Sequence, residues 1–481
     1  MSGLQPTRPS IPALGETVMP DATMRRRISR RNLLKAMGLT AAAVGIAPSL
    51  KTQLLGTSAV NAADPLPDMK LIGTDGWISL PPGPAIPPFH PDVYAPDGLT
   101  TYIFGFRNGT GLDDVQLHAQ KNHAQHSAPL FWAKEGEQFI VNLTNVGLAQ
   151  RPDLFDAHTL HWHGFKNVLA FFDGEPTGSV SVPAGQSFNY VYVSHDPGTY
   201  MYHCHVEDVE HVQMGMTGLV FVRPAQDALP AALDMGLSRP EPGAISRKYK
   251  GFAYNDGDGS TGFDREYAMF LSEVWAEAHW ADAHIQLPEW SDYRADFSLL
   301  NGRVFPDTLE PNSPVDTYSG QPFIPVSRDA AGELAVPPGR PDLQHQPLSS
   351  LITCEAGERV LLRFANLGFK EASMTLTGIK LKVVGRDATP LKGRDGTIGT
   401  YSTNTLSFGA GESFDTVFTA PAHSGATGPL GEVIPDKYVL FNRTYTRADN
   451  LSGGGGQRTE VHVYPTGTLL PQKFPNDWGQ A

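Results

Sequence analysis

Cysteine is almost absent from this chain: Cys204 and Cys354 are its two thiols in 481 residues. Two thiols build no disulfide framework, so stability must come from a packed core, which a chain of this length can supply. Basic charge is scarce as well. Lys and Arg number 37 against 50 Asp and Glu, a formal charge of −13, and the basic face that a nucleic-acid binder needs is missing. Nor is there a good membrane span, because the apolar run from Ala36 to Leu50 is short and rich in alanine. What is plentiful is turn chemistry. The 49 Gly and 40 Pro are spread among aliphatic and aromatic residues without low complexity, which predicts many short strands and an all-β fold.

Ser29-Arg-Arg-Asn-Leu-Leu-Lys35, the apolar run behind it and the small residues Ala59–Ala63 have the layout of a twin-arginine export signal. Residues 1–63 are therefore expected to be a targeting segment, with the protein periplasmic or extracellular. Cleavage after Ala62 would leave 29 basic and 48 acidic residues, a charge of −19.

An internal repeat sets the domain plan. Glu135-Gly-Glu-Gln-Phe-Ile-Val-Asn-Leu-Thr-Asn145-Val-Gly147-Leu148 recurs as Ala356-Gly-Glu-Arg-Val-Leu-Leu-Arg-Phe-Ala-Asn366-Leu-Gly368-Phe369. Ala184-Gly-Gln-Ser-Phe188 recurs as Ala410-Gly-Glu-Ser-Phe414. Offsets of this size duplicate a whole domain. Phe139, Val141 and Leu143 alternate in the manner of a strand, as do Phe188, Tyr190 and Tyr192. Two Greek-key β-sandwiches are predicted, at 64–224 and 266–470, with a linker at 225–265 and a tail at 471–481. The stretch from 250 to 345 has no clear pattern.

The first copy contains Asp156-Ala-His158-Thr-Leu-His161-Trp-His163-Gly164, then Gly198-Thr-Tyr-Met-Tyr-His203-Cys204-His205, His211, Met214 and Met216. Alternate strand residues share a face. That parity separates His158 and Cys204, completed by His211 and Met216, from His161, His163, His203 and His205. The first set is two imidazoles, a thiolate and a weak thioether, the donor set of a blue-copper electron-transfer site. Structural zinc favours four strong ligands instead. The second set, all imidazole, suits copper that meets oxygen, and Cys204 is joined to both flanking histidines by its own backbone. One His-X-His pair on a strand would mean little, but six histidines, a cysteine and a methionine at matched offsets mean more.

These motifs resemble the multicopper oxidase family, with two-domain members nearest in architecture and copper nitrite reductases as cousins. The resemblance covers the whole first copy, and the second is similar to the copper-free middle cupredoxin domain of three-domain laccases. It implies two cupredoxin-like domains and copper as the cofactor. His158, Cys204, His211 and axial Met216 would form a type 1 site, His161 a type 2 ligand, and His163, His203 and His205 type 3 ligands. It further implies one-electron oxidation of small phenolic or metal-ion reductants, reduction of O2 to water, and a possible homotrimer.

The pattern departs from the family twice. Five residues, Val206–Glu210, separate His-Cys-His from His211 where relatives have three. The insertion brings Glu207, Asp208 and Glu210, a solvated acidic turn or a docking surface for cationic reductants. In addition, the family's trinuclear cluster needs eight histidines, and the first copy supplies four. Laying the repeats together puts Thr375 and Thr377 where the first copy has His161 and His163, and Phe441, Asn442 and Arg443 on His203, Cys204 and His205. The remaining histidines, His118, His123, His126, His279 and His284, are expected to be ordinary. Besides an O2-reducing oxidase, the residues allow a nitrite-reductase-like enzyme with one catalytic copper near His161, or a non-enzymatic electron carrier.

Overall fold

The computed structural model describes residues 66–166, 168–228, 249–316, 320–393, 395–449 and 455–479. The expected targeting segment, residues 1–63, and the middle of the expected linker lie outside them. No helix among the described residues is long and apolar enough to cross a membrane.

The first sandwich holds β1 (Met69–Ile78), β2 (Thr101–Asn108), β3 (Phe131–Lys134), β4 (Gln138–Gly147), β5 (His161–His163), β6 (Ser187–Val193), β7 (Gly198–His203) and β8 (Thr217–Arg223). One sheet runs β2-β1-β4-β6 and the other β3-β8-β7-β5. The short helix α1 (Asp114–Ala119) follows β2, and α2 (Asp208–Met214) lies between β7 and β8. Phe139, Val141 and Leu143 enter the core with Trp162, Tyr190 and Tyr192.

The second sandwich follows a small hairpin, β9 (Gly251–Phe252) with β10 (Gly262–Phe263). Its strands are β11 (Arg265–Val274), β12 (Phe297–Leu300), β13 (Ile352–Glu355), β14 (Arg359–Asn366), β15 (Ala372–Leu376), β16 (Leu381–Arg386), β17 (Thr389–Pro390), β18 (Tyr401–Thr403), β19 (Thr405–Phe408), β20 (Ser413–Thr419), β21 (Asp436–Asn442) and β22 (Arg458–Tyr464). They form a sheet β12-β11-β14-β20-β16-β17, with β18 also on β16, and a sheet β13-β22-β21-β15-β19.

The sequence repeat is a structural repeat. β1 pairs parallel to β4 and β11 parallel to β14. Leu143 lies opposite Phe188 just as Phe364 lies opposite Phe414. In both copies the Asn-X-Gly turn closes on itself, the Gly147 and Gly368 N–H groups donating to Asn145 and Asn366 Oδ1 at 2.9 Å.

The unpatterned stretch after β11 belongs to both halves. Helix α3 (Ala276–Ala283) reaches back to the first sandwich, where the His279 ring sits 2.6 Å from the Tyr102 carbonyl. The segment taken from sequence as a tail is knit into the second sandwich. Asn476 Oδ1 accepts from Ala268 N–H at 2.7 Å, and its amide donates to the Ser349 carbonyl at 2.9 Å.

Between the sandwiches, Trp132, Met201, Leu219 and Phe221 pack on Ala268, Phe270, Ala365 and Phe474. A buried ionic net reinforces this seam. Arg363 meets Glu266 at 2.6 Å and Asp415 at 3.2 Å, Arg223 meets Glu266 at 2.6 Å, and the Thr199 hydroxyl donates to Asp415 at 2.6 Å. Because Thr199 lies in β7, the second sandwich grips the strand that carries His203. Removing one partner of a buried pair strands the other charge. Arg363→Leu is expected to cost about 3–5 kcal/mol, measured by denaturant unfolding. Burial penalises the Glu266 carboxylate, but the two arginines outweigh it and hold its pKa down at about 2. Its contribution is complete above its ordinary value of 4.5 and is lost as pH falls toward about 2.

Candidate metal centres

Cys204 follows the last residue of β7, its N–H held by the Met216 carbonyl at 3.1 Å. His158 is not on the strand of His161 and His163. It forms a separate two-residue bridge with Val182, so strand parity describes its direction less directly than the sequence suggested. The five-residue spacer is not a plain acidic turn either: its last residues open α2, which carries His211 on its buried side and ends at Gly215 in the left-handed region.

The three side chains converge. Cys204 Sγ lies 3.2 Å from His211 Nδ1 and 4.0 Å from His158 Nδ1, all fully buried. The Thr159 N–H points at the sulfur from 3.5 Å. Burial would raise the Cys204 thiol, but His211 and His158 overcome it and hold it well below its ordinary value. Burial also opposes charge on His211, yet the thiolate and Asp156, 3.6 Å from its Nε2, hold it up at about 10. A sealed thiolate between two inward-facing ring nitrogens, the three donor atoms within 4.8 Å of one another, is a donor set that fits a soft cation.

Met214 and Met216 are both buried, but the geometry separates them. A methyl group on Gly73 of β1 would stand 2.9 Å from His158 Cδ2 and 3.7 Å from Met216 Cε. Met216 therefore shares the His158 side of the site. With copper loaded, Met216→Leu is expected to keep the blue colour and raise the reduction potential, while Met214→Leu leaves the potential near the parent value. Spectroelectrochemical titration of both variants checks this. Gly73 itself carries no motif, and only the fold reveals that it leaves room for His158.

The other four histidines gather on the opposite side of Cys204. Ring centroids are 5.1 Å apart for His161 and His203, 4.9 Å for His161 and His205, and 5.8 Å for His163 and His203. The donor atoms of His161, His163 and His203 come within 4.8 Å of one another, a grouping that omits His205. His161 Nδ1–H donates to the Asp173 carbonyl at 2.8 Å, leaving Nε2 free for a metal. His203 Nδ1–H donates to the Cys204 carbonyl at 2.8 Å. Burial lowers the His161 and His163 pKa values and takes His203 down to about 3. These rings are neutral near pH 7, the form that binds metal. This set, too, fits copper.

The second sandwich gives this cluster a wall. Gly411, at φ +78°, lies against His163 so closely that a methyl group there would be 3.0 Å from Nε2. Its counterpart in the first copy, Gly185, faces open space. Gly411→Val is expected to displace His163 and weaken metal retention by about tenfold, whereas Gly185→Val costs only backbone strain. Copper competition against a chelator compares the two. The ligand positions of the second copy are occupied otherwise. Thr375 pairs with Phe441 as His161 pairs with His203, and the Thr375 hydroxyl bonds Thr405 at 2.8 Å.

The spare histidines serve the scaffold. His118 bonds the Asp114 carbonyl, His123 pairs with Glu333 at 2.9 Å, and His126 meets Ser272 at 3.1 Å. His279 lies between the Tyr102 and Gln213 carbonyls. His284 bonds Asp92 and is sandwiched by Tyr94 and Trp280. Among the described residues, none joins a metal-competent group.

Fold and site together define a cupredoxin-like protein with adjoining thiolate–imidazole and all-imidazole centres. Residues 118–227 match the multicopper oxidase family model. Laccase-1 of Cryptococcus neoformans var. neoformans serotype D (strain B-3501A) is 32% identical over 109 residues, 22% of this chain and 16% of that protein. Laccase-2 of Oryza sativa subsp. japonica is 30% identical over 87 residues, 18% and 14% of the two lengths. The alignments thus span about a sixth of these relatives. Among solved structures, a blue copper oxidase from Nitrosomonas europaea is 18% identical with a TM-score of 0.49, covering 82% of this chain and 85% of its own. The segment 118–227, which holds every residue of both candidate centres, is the part of the chain that is similar to multicopper oxidases.

Proposed function

We propose that this protein is an exported copper-dependent oxidase that takes electrons singly from small phenolic or metal-ion reductants and delivers them to O2. The observation that carries the reading is Cys204 itself. Its sulfur belongs to the buried His158–His211 site, while its carbonyl accepts from His203 in the four-histidine site. When bound, copper supplies one-electron exchange at the first site and acceptor reduction at the second. The chain's own part is to hold the donors. His211 turns its outer nitrogen toward Asp156, 3.6 Å away, which orients the ring. Asp173 fixes the His161 tautomer, and the hydrogen bond from His203 to Cys204 bridges the two sites. Export is supported by the twin-arginine pattern at Ser29–Lys35.

A second reading has one observation in its favour. Of the four gathered histidines, the donor atoms of three come within 4.8 Å of one another, a set that a single copper could occupy. Copper counted per chain, with oxygen uptake on the same sample, decides. The oxidase reading expects at least two coppers and one O2 consumed per four reductant equivalents. Nitric oxide from nitrite without oxygen uptake would favour the second reading, and one copper with neither activity an electron carrier.

A further inference from the structure

Four segments meet over the His211 edge of the first site. Arg151 bonds Asp282 at 3.2 Å and the Gln150 amide donates to the Ala283 carbonyl at 3.3 Å, joining the loop 149–157 to the end of α3. The His279 ring, 3.1 Å from the Gln213 carbonyl, joins α3 to α2. His284 bonds Asp92 at 3.0 Å and stacks on Tyr94 at 4.1 Å, adding the loop before β2.

Each segment places a large apolar side chain in solvent. Phe155 is 82% exposed, Leu287 87%, Ile285 62%, Tyr94 57% and Val209 49%. Ile285 is held there at φ +58°, a conformation that disfavours a β-branched residue. Apolar side chains concentrated in this way mark an interaction surface more often than a plain solvent face. Charge selects the partner. Segments 89–99, 149–157, 205–217 and 280–293 hold ten carboxylates and one guanidinium, Arg151. That guanidinium is itself buried against Asp153 and Asp282.

We infer that this acid-rimmed apolar surface docks a small basic electron-carrier protein, one whose own redox group is exposed within an apolar face. The inference goes beyond the small-molecule reading and rests on it only for the direction of electron flow. The reduced carrier loses one electron, the Cys204 site gains it, and no proton or atom changes hands. An apolar centre excludes water between the partners, and the carboxylate rim steers a cationic protein and discriminates against acidic ones.

The test uses the copper-loaded full chain and a reduced basic c-type cytochrome. Binding is measured by surface plasmon resonance at low and physiological ionic strength, and cytochrome oxidation by its absorbance. Binding should weaken by about tenfold or more with added salt. Phe155→Ser combined with Leu287→Ser should weaken it by about tenfold again and slow cytochrome oxidation by a similar factor, leaving oxidation of a small phenol within about twofold. Circular dichroism confirms that the variant is folded. Undetectable binding at low salt would overturn the inference, as would a variant that binds like the parent. So would a parallel loss of phenol oxidation, which would make the patch a small-reductant site. A parent that binds the cytochrome salt-dependently yet oxidises no phenol would sink the proposed function and leave the docking surface standing.

Discussion

Replacing Cys204 by serine is expected to give a folded, colourless protein that oxidises no reductant above background, even when copper is supplied. The blue absorption of such a site requires sulfur-to-copper charge transfer, and a hydroxyl oxygen does not provide it. The fold should survive, because Cys204 lies just beyond β7 and each sandwich has its own large core. What is lost locally is the buried anion nearest the His211 ring, which keeps Asp156 at 3.6 Å and Glu207 close by as charged neighbours. Its proton becomes harder to keep, so ligand-free Cys204→Ser protein should titrate His211 at lower pH than the parent, a shift visible by NMR. A copper-loaded variant that stays blue would refute the ligand assignment.

His161→Ala is expected to separate the two halves of the reaction. The variant should remain blue and be bleached by a small reductant at a rate near the parent's, because His158, Cys204, His211 and Met216 are untouched. Admitting air should recolour the parent and leave the variant bleached, with turnover down by about a hundredfold or more, as loss of a metal ligand implies. His161 is the natural choice. Its ring lies within 5.1 Å of the His203 ring and within 4.9 Å of the His205 ring, and its free Nε2 completes the three-histidine group. Stopped-flow absorbance with separate reductant and oxygen pushes resolves the steps. Full recolouring of the variant in air would place acceptor reduction elsewhere.

Much of this molecule was legible before any coordinates. The repeated X-Gly-Glu and Ala-Gly-X-Ser-Phe segments located β4, β6, β14 and β20, because period-two alternation and glycine turns are local signals. The division of the histidines around Cys204 was also legible, since three consecutive residues at a strand end must alternate faces. Other features depend on contacts between distant segments and leave no local trace. Gly73 makes room for His158 from a strand 85 positions earlier, and Gly411 walls His163 from the other sandwich. The acidic insertion concealed α2, whose Gly215 stop was visible but whose start at Glu207 lacks a side-chain cap. The stretch from 250 to 345 looked unpatterned because parts of it serve two cores at once, His279 being anchored in the first and Asn301 in the second.

The seam between the sandwiches has a thermodynamic corollary. A metal bound by the first sandwich stabilises every segment that must stay folded to keep its site intact. Gly411 and the Arg363–Asp415–Thr199 chain place the ligand-free copy among those segments. The melting of the second sandwich should therefore follow copper concentration although its described residues hold no metal-competent group, and calorimetry should record both halves in a single transition. Seen this way, the copy that lost its ligands kept a share in the metal's binding energy.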